Sequence, residues 1–171
     1  GNNREGTGSS FFFEMPYQEV MGIIEPEKIL EFENANLLNL EKLVNPNDKT
    51  GKKATILLVE DNADLRDYIK SILLEFYQVK IAENGQQALD YLKNQTPNLI
   101  ISDIMMPVMD GLELLENIKK TDDYRHIPMI MLTARGSMET KLSALQLGID
   151  DYMTKPFHEK ELLIRIHNLL A

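Results

Sequence analysis

The chain has 171 residues, 27 acidic against 18 basic, a formal net charge of −9, no cysteine and an apolar share of 43%. That is the balance of an ordinary soluble globular chain, long enough for one well-cored domain and some additional polypeptide. With no run of Lys or Arg a direct nucleic-acid surface is excluded, and with no cysteine so are disulfides and thiolate metal sites, which fits a reducing compartment.

From the amino terminus, Gly1 to Ser10 is rich in Gly, Asn and Ser, and FFFEMP after it is a strand-like piece too short to form a core unaided. Residues 1–21 therefore read as a remnant of something larger. Pro26, in Glu25-Pro26-Glu27, stands where a helix can begin. Leu30, Leu37, Leu40 and Val44 then recur at helical spacing, with Glu33 interrupting. Residues 22–53 are expected to be a linker, partly helical and docked on a surface, because the apolar seam is too short for a coiled coil. Asn45 to Lys53, with Pro46, Asp48 and Gly51, is a breaker segment that places a boundary before a domain over 54–171.

From Ala54 onward short apolar runs alternate with helical periods, the sequence sign of parallel β-α units. The strands read TILLV, YQVKIA, LIISD, PMIML and DDYMT. Between them Leu65, Ile69, Ile72 and Phe76 fall at helical spacing, then the weaker GQQALDYLKN, then Leu112, Leu115 and Ile118, then Met138, Leu142 and Leu145, then Leu162, Ile166 and Leu169. Three strands are apolar without alternation, as expected where helices cover both faces of a parallel sheet. The pattern predicts a doubly wound five-stranded α/β domain of flavodoxin-like order 2-1-3-4-5, preceded by the linker helix and the strand remnant.

Sites in such sheets form beyond the carboxyl ends of the strands. The first strand ends in Val59-Glu60-Asp61, the third in Ser102-Asp103, the fourth in Leu132-Thr133-Ala134 and the fifth in Thr154-Lys155-Pro156. Asp103 alone would be only a turn former. With the first and third strands adjacent, however, Glu60, Asp61 and Asp103 converge, and two unit charges about 4 Å apart repel by ~4 kcal/mol at an effective dielectric of 20. Such a cluster calls for a cation, and carboxylate oxygens with room for water suit magnesium, with a backbone carbonyl just past Asp103 as a further ligand. Lys155 adds a point charge and Thr133 a hydroxyl donor, so the rim has what a transferring phosphoryl group requires. Asp103 is the candidate nucleophile, since a carboxylate can form an aspartyl phosphate.

The strings VEDNADLR, SDIMMPVMDG, LTARG and DYMTKPF, in this order and spacing, resemble the receiver domain of two-component response regulators from about Lys53 to Leu170. By that resemblance Asp103 is the phosphoacceptor of a phosphorelay. Glu60 and Asp61 bind magnesium together with Asp103 and the Met105 carbonyl, Thr133 and Lys155 contact the phosphoryl group, and Tyr152 is the aromatic switch. The implied partner is a kinase phosphohistidine domain, in the same parent chain or in trans. The implied output is altered contact, including homodimerisation, through the fourth helix, fifth strand and fifth helix.

REGTGSSFFFEMP is similar to the last glycine-rich turn and closing strand of histidine-kinase ATP-binding domains, through Gly6, Gly8, Ser9, Phe11 and Pro16. The combination resembles the tail of a hybrid histidine kinase. The nucleotide-binding boxes and the phosphorylated His are not in this chain, so it is expected neither to bind ATP nor to autophosphorylate. A cytoplasmic location follows from the resemblance, with a parent often membrane-anchored. No signal peptide is read here, and runs such as ILLV and LII fall far short of the roughly 20 residues of a membrane span.

Two other functions compete. A magnesium phosphohydrolase of the haloacid-dehalogenase type would carry an Asp two residues past the nucleophile, where this chain has Met105. A receiver-like interaction module that takes no phosphate would have no need of the complete set of site residues. His126, His158 and His167 lack metal-ligand spacing, no Walker loop is present, and Met129 and Met131 are expected to fill the core.

Overall fold

The fold is that of a computed structural model, which describes residues 52–134 and 138–171. The expected remnant over 1–21, most of the linker over 22–53, and Arg135 and Gly136 of LTARG lie outside the described residues. The elements are β1 (Thr55–Val59), α1 (Ala63–Leu74), β2 (Gln78–Ala82), α2 (Gly85–Leu92), β3 (Leu99–Asp103), α3 (Gly111–Lys120), β4 (Met129–Thr133), α4 (Met138–Gln146), β5 (Asp151–Thr154) and α5 (Glu159–Leu170). The five strands form one parallel sheet in the order β2-β1-β3-β4-β5, as the sequence predicts.

Strand periodicity divides the interior in two. Ile56, Leu58, Leu99, Ile101, Ile130 and Leu132 face α1 and α5, where Ile69, Leu73, Leu162 and Ile166 meet them. Their neighbours Leu57, Val59, Ile100, Met129 and Met131 face the opposite layer, with Leu92, Leu114, Leu115 and Ile118. Each fully buried Leu or Ile contributes roughly 1.5–3 kcal/mol relative to exposure, so β1, β3 and β4 are forced to the centre. The edge strands β2 and β5 bury fewer residues. Chain order reverses between β1 and β3, which opens a crevice above their carboxyl ends.

The helices α1, α2 and α3 begin on side-chain caps. Asn62 Oδ1 accepts from Leu65 N–H, Asn84 Oδ1 from Gln87 N–H, and Asp110 with Glu113 forms a complete capping box. One sequence expectation shifts. Phe76, read in the first helix, lies past its end, because the N–H groups of Phe76 and Tyr77 both turn back to Leu73 O. On α4, Leu142 and Leu145 of the stripe are each 52% exposed and Ala144 beside them is buried. Periodicity reports that one face is apolar and does not say which side the sheet will take. Among the described residues no helix is long and apolar enough to cross a membrane.

Candidate phosphoryl-transfer site

Because all five strands run in parallel, every strand end that the sequence singles out reaches one rim. β1 delivers Glu60 and Asp61, and β3 delivers Asp103, whose carboxylate oxygens lie within 4.8 Å of one another. Among the described residues this is the one group of three side chains able to hold a metal ion. Glu60 is buried at 1% exposure, Asp103 is 9% exposed, and Asp61 opens to solvent. Lys155, just past β5, reaches across β4 to place its ammonium 3.1 Å from Glu60 Oε2 and 3.0 Å from Asp103 Oδ1.

The hydrogen bonds orient the acids. Asn62 N–H donates to Glu60 Oε1 at 3.2 Å, so both oxygens of that carboxylate are engaged. Ile104 N–H donates to Asp103 Oδ1 at 2.8 Å, and with the Lys155 bond this leaves Oδ2 of Asp103 with no donor among the described residues. Burial first, then the charge of Asp103, raises the Glu60 pKa above its ordinary 4.5, and the hydrogen bond from Lys155 offsets part of that. Among the described residues, one ammonium against three carboxylates leaves excess negative charge. Hard oxygen donors with that excess, one of them open to water, fit a magnesium-type dication.

Thr133 ends β4 fully buried, and its hydroxyl has no hydrogen-bond partner among the described residues. A buried unpartnered hydroxyl costs about 1–3 kcal/mol, so its place at the site rim points to a group that completes it. Lys155 N–H donates to Thr133 O at 2.7 Å, which ties the ends of β4 and β5, and the Lys155–Pro156 peptide bond is cis. Tyr152 lies on β5 with the Lys141 ammonium 5.1 Å from its ring centroid. That is within cation–π range, and Lys141 also donates to Thr154 Oγ1 at 3.2 Å. Met105 is 76% exposed on the loop after β3, and Gly111 N–H closes the base of that loop on Ile104 O at 2.8 Å.

Two contributors escape the sequence reading. Arg66 on α1 donates to the carbonyls of Glu60, at 3.0 Å, and Asp61, at 3.3 Å, and pairs with Glu83 at 3.5 Å, so it braces the backbone under the acids. Its position six residues after Glu60, within VEDNADLR, is the only signal of it. Gly111 is the other: a Cβ there would lie 2.2 Å from Asp103 O, so only a glycine lets the start of α3 approach the end of β3. His126, His158 and His167 join no metal-holding group among the described residues.

Residues 56–167 match the family model described as the response regulator receiver domain. Over 119 residues the chain is 45% identical to histidine kinase P4 of Formosa agariphila, covering 70% of this chain and 9% of that protein. Over 115 residues it is 47% identical to the heme response regulator HssR of Staphylococcus epidermidis, covering 67% of this chain and 50% of that one. Among solved structures it resembles the receiver domain of sensor histidine kinase PA1611 from Pseudomonas aeruginosa PAO1, which has a magnesium ion coordinated in its active-site cleft. The TM-score is 0.65 at 32% identity, over 69% of this chain and 98% of that one. The chain thus spans about a tenth of the similar kinase and half of the similar regulator.

Proposed function

The chain belongs to the response regulator receiver domain family of two-component signalling, and from that premise we propose that Asp103 is its phosphoacceptor. Asp103 Oδ2, the oxygen without a donor among the described residues, attacks the phosphorus of a kinase phosphohistidine. The P–O bond forms, the P–N bond breaks, and the imidazole departs with the electron pair and takes up a proton. Lys155 offsets charge at the reacting carboxylate, and the Thr133 hydroxyl donates to a phosphoryl oxygen. Glu60, Asp61, Asp103 and the Met105 carbonyl would hold magnesium, which supplies charge neutralisation to the phosphoryl oxygens. The single observation that carries this reading is the buried, unpartnered hydroxyl of Thr133 on the same rim as three carboxylates and one ammonium.

The output in this reading is a population shift. Once Thr133 turns to the phosphoryl group, Tyr152 follows, and the face of α4, β5 and α5 changes its contacts. Exposed Leu142, Leu145 and Ile164 support an apolar partner there, a second copy of the chain included. The donor is the phosphohistidine domain of a histidine kinase, in a parent hybrid kinase or in trans. The parent kinase is supported by the GTGSSFFFEMP pattern and the similarity to the Formosa kinase. A cytoplasmic location fits the same reading.

The test is intact mass after incubation with a small phosphoryl donor, with and without magnesium, on this protein and on Asp103→Asn. A magnesium-dependent gain of one phosphoryl group, absent from the variant, is expected. Equal gain in the variant would place the acceptor elsewhere.

A further inference from the structure

The loop between β3 and α3 is held from outside by a residue of a different β-α unit. Within the loop, Met109 N–H donates to Pro107 O at 2.8 Å and closes a three-residue turn around Val108, whose φ is +70°. A γ-turn of this hand is rare and strained, and more so around a β-branched residue. A conformation of that kind persists only where its surroundings over-determine it. The Val108 side chain is 81% exposed and anchors nothing.

What anchors the turn is the start of α2. The first N–H groups of a helix have no partner within it. At α2 the Asn84 side chain takes the Gln87 N–H, and the Gly85 N–H goes outward to Met109 O at 3.0 Å. Gly85 is buried, and a Cβ placed on it would lie 2.6 Å from Met109 Cγ, 2.9 Å from Sδ and 3.0 Å from the carbonyl oxygen. The hydrogen bond and the missing side chain are therefore one contact, since any larger residue pushes Met109 away from the amide that holds it.

We infer that Gly85 is a positioning residue for the Asp103 site. By admitting Met109 against the start of α2 it fixes the Pro107–Met109 turn, and through it the loop that carries the Met105 carbonyl. The inference rests on the reading of Glu60, Asp61, Asp103 and Met105 as the magnesium site, and it deepens that reading by extending the support to a residue on another unit of the fold.

The experiment is calorimetric titration of the full chain with magnesium for the parent, Gly85→Ala, and Gly85→Ala combined with Met109→Ala, alongside unfolding midpoints. Gly85→Ala is expected to weaken magnesium about tenfold, the scale of loss when a group orienting a metal ligand is disturbed. The double variant removes Cγ and Sδ from the collision and is expected to recover most of that affinity. Unchanged affinity in Gly85→Ala with only a lowered midpoint would reduce Gly85 to a packing residue and overturn the inference. Should Gly85→Ala not fold, amide exchange of the parent decides. Coupling is reciprocal, so saturating magnesium must slow exchange of the Gly85 N–H, and an unchanged rate overturns the inference. A parent that binds no magnesium brings down the cation reading itself, a result distinguishable from either of these.

Discussion

Lys155 and Asp103 meet at 3.0 Å although the strands that carry them to the rim are not neighbours, since β4 lies between β3 and β5. The contact spans the sheet edge, and the same ammonium holds Glu60 Oε2 at 3.1 Å. Lys155→Met removes the cation that bridges Glu60 and Asp103. Phosphoryl uptake is expected to slow by roughly 10²–10³, the usual loss for a charge-stabilising group. Without divalent ions the fold should lose about 1–2 kcal/mol, because Glu60 stays buried without its partner while Lys155, a quarter exposed, was already partly screened. Rapid-quench phosphorylation and urea midpoints in chelator check both.

Thr133→Ala should separate fold from chemistry. The hydroxyl is buried and unpartnered, so its removal is expected to leave stability within about 1 kcal/mol of the parent or raise it slightly. Phosphoryl-dependent spectral changes at Tyr152, followed by NMR, should nevertheless disappear. A large drop in stability would mean that the hydroxyl has a protein partner in solution.

Tyr77 is 1% exposed, its hydroxyl has no partner among the described residues, and burial pushes its pKa up to about 12. The folded value lies above the unfolded value of about 10. The stabilisation linked to this group is therefore complete below pH 10 and is lost as pH rises toward 12. Tyr77→Phe should match or exceed the parent at pH 8 and lose less stability than the parent, by about 2 kcal/mol, between pH 9 and pH 12. The difference between the two pH profiles isolates Tyr77 from the lysines and the other tyrosines.

Arg165 on α5 donates through one nitrogen to both oxygens of Asp151, at 2.9 and 2.8 Å, and through two others to Glu161 Oε1. These bonds raise its already high pKa and tie α5 to the start of β5. Arg165→Met is expected to cost about 1 kcal/mol, less at high salt because the side chain is one-third exposed. Magnesium affinity should not change, since none of these groups reaches the rim. Salt-dependent thermal melts and one titration test it.

The site was legible because parallel strands turn sequence position into spatial position. Once TILLV, LIISD and PMIML are recognised as central strands, Glu60, Asp103 and Thr133 must share an edge, whatever the details of packing. Arg66, Gly85 and Gly111 were not legible as supports for the site, because their roles depend on approaches between separate β-α units, which no local period encodes. The buried side of α4 is hidden from the sequence for a related reason. Leu142 and Leu145 mark an apolar face, and only the packing of α3, β4 and β5 decides that Ala144 is the residue turned inward.

That last detail bears on how readily the molecule opens. Among the side chains described on α4 only Ala144 is buried, whereas α1, α3 and α5 each bury at least two large aliphatic residues. A methyl group is a slight anchor, so the described part of α4, from Lys141 on, should open at lower cost than α1, α3 and α5. Its amides should exchange through excursions costing only a fraction of the global unfolding free energy, independently of the β1–β3–β4 block. The fold then behaves as a stiff slab with one loosely fastened shingle, and a modification at the rim need supply little free energy to lift it.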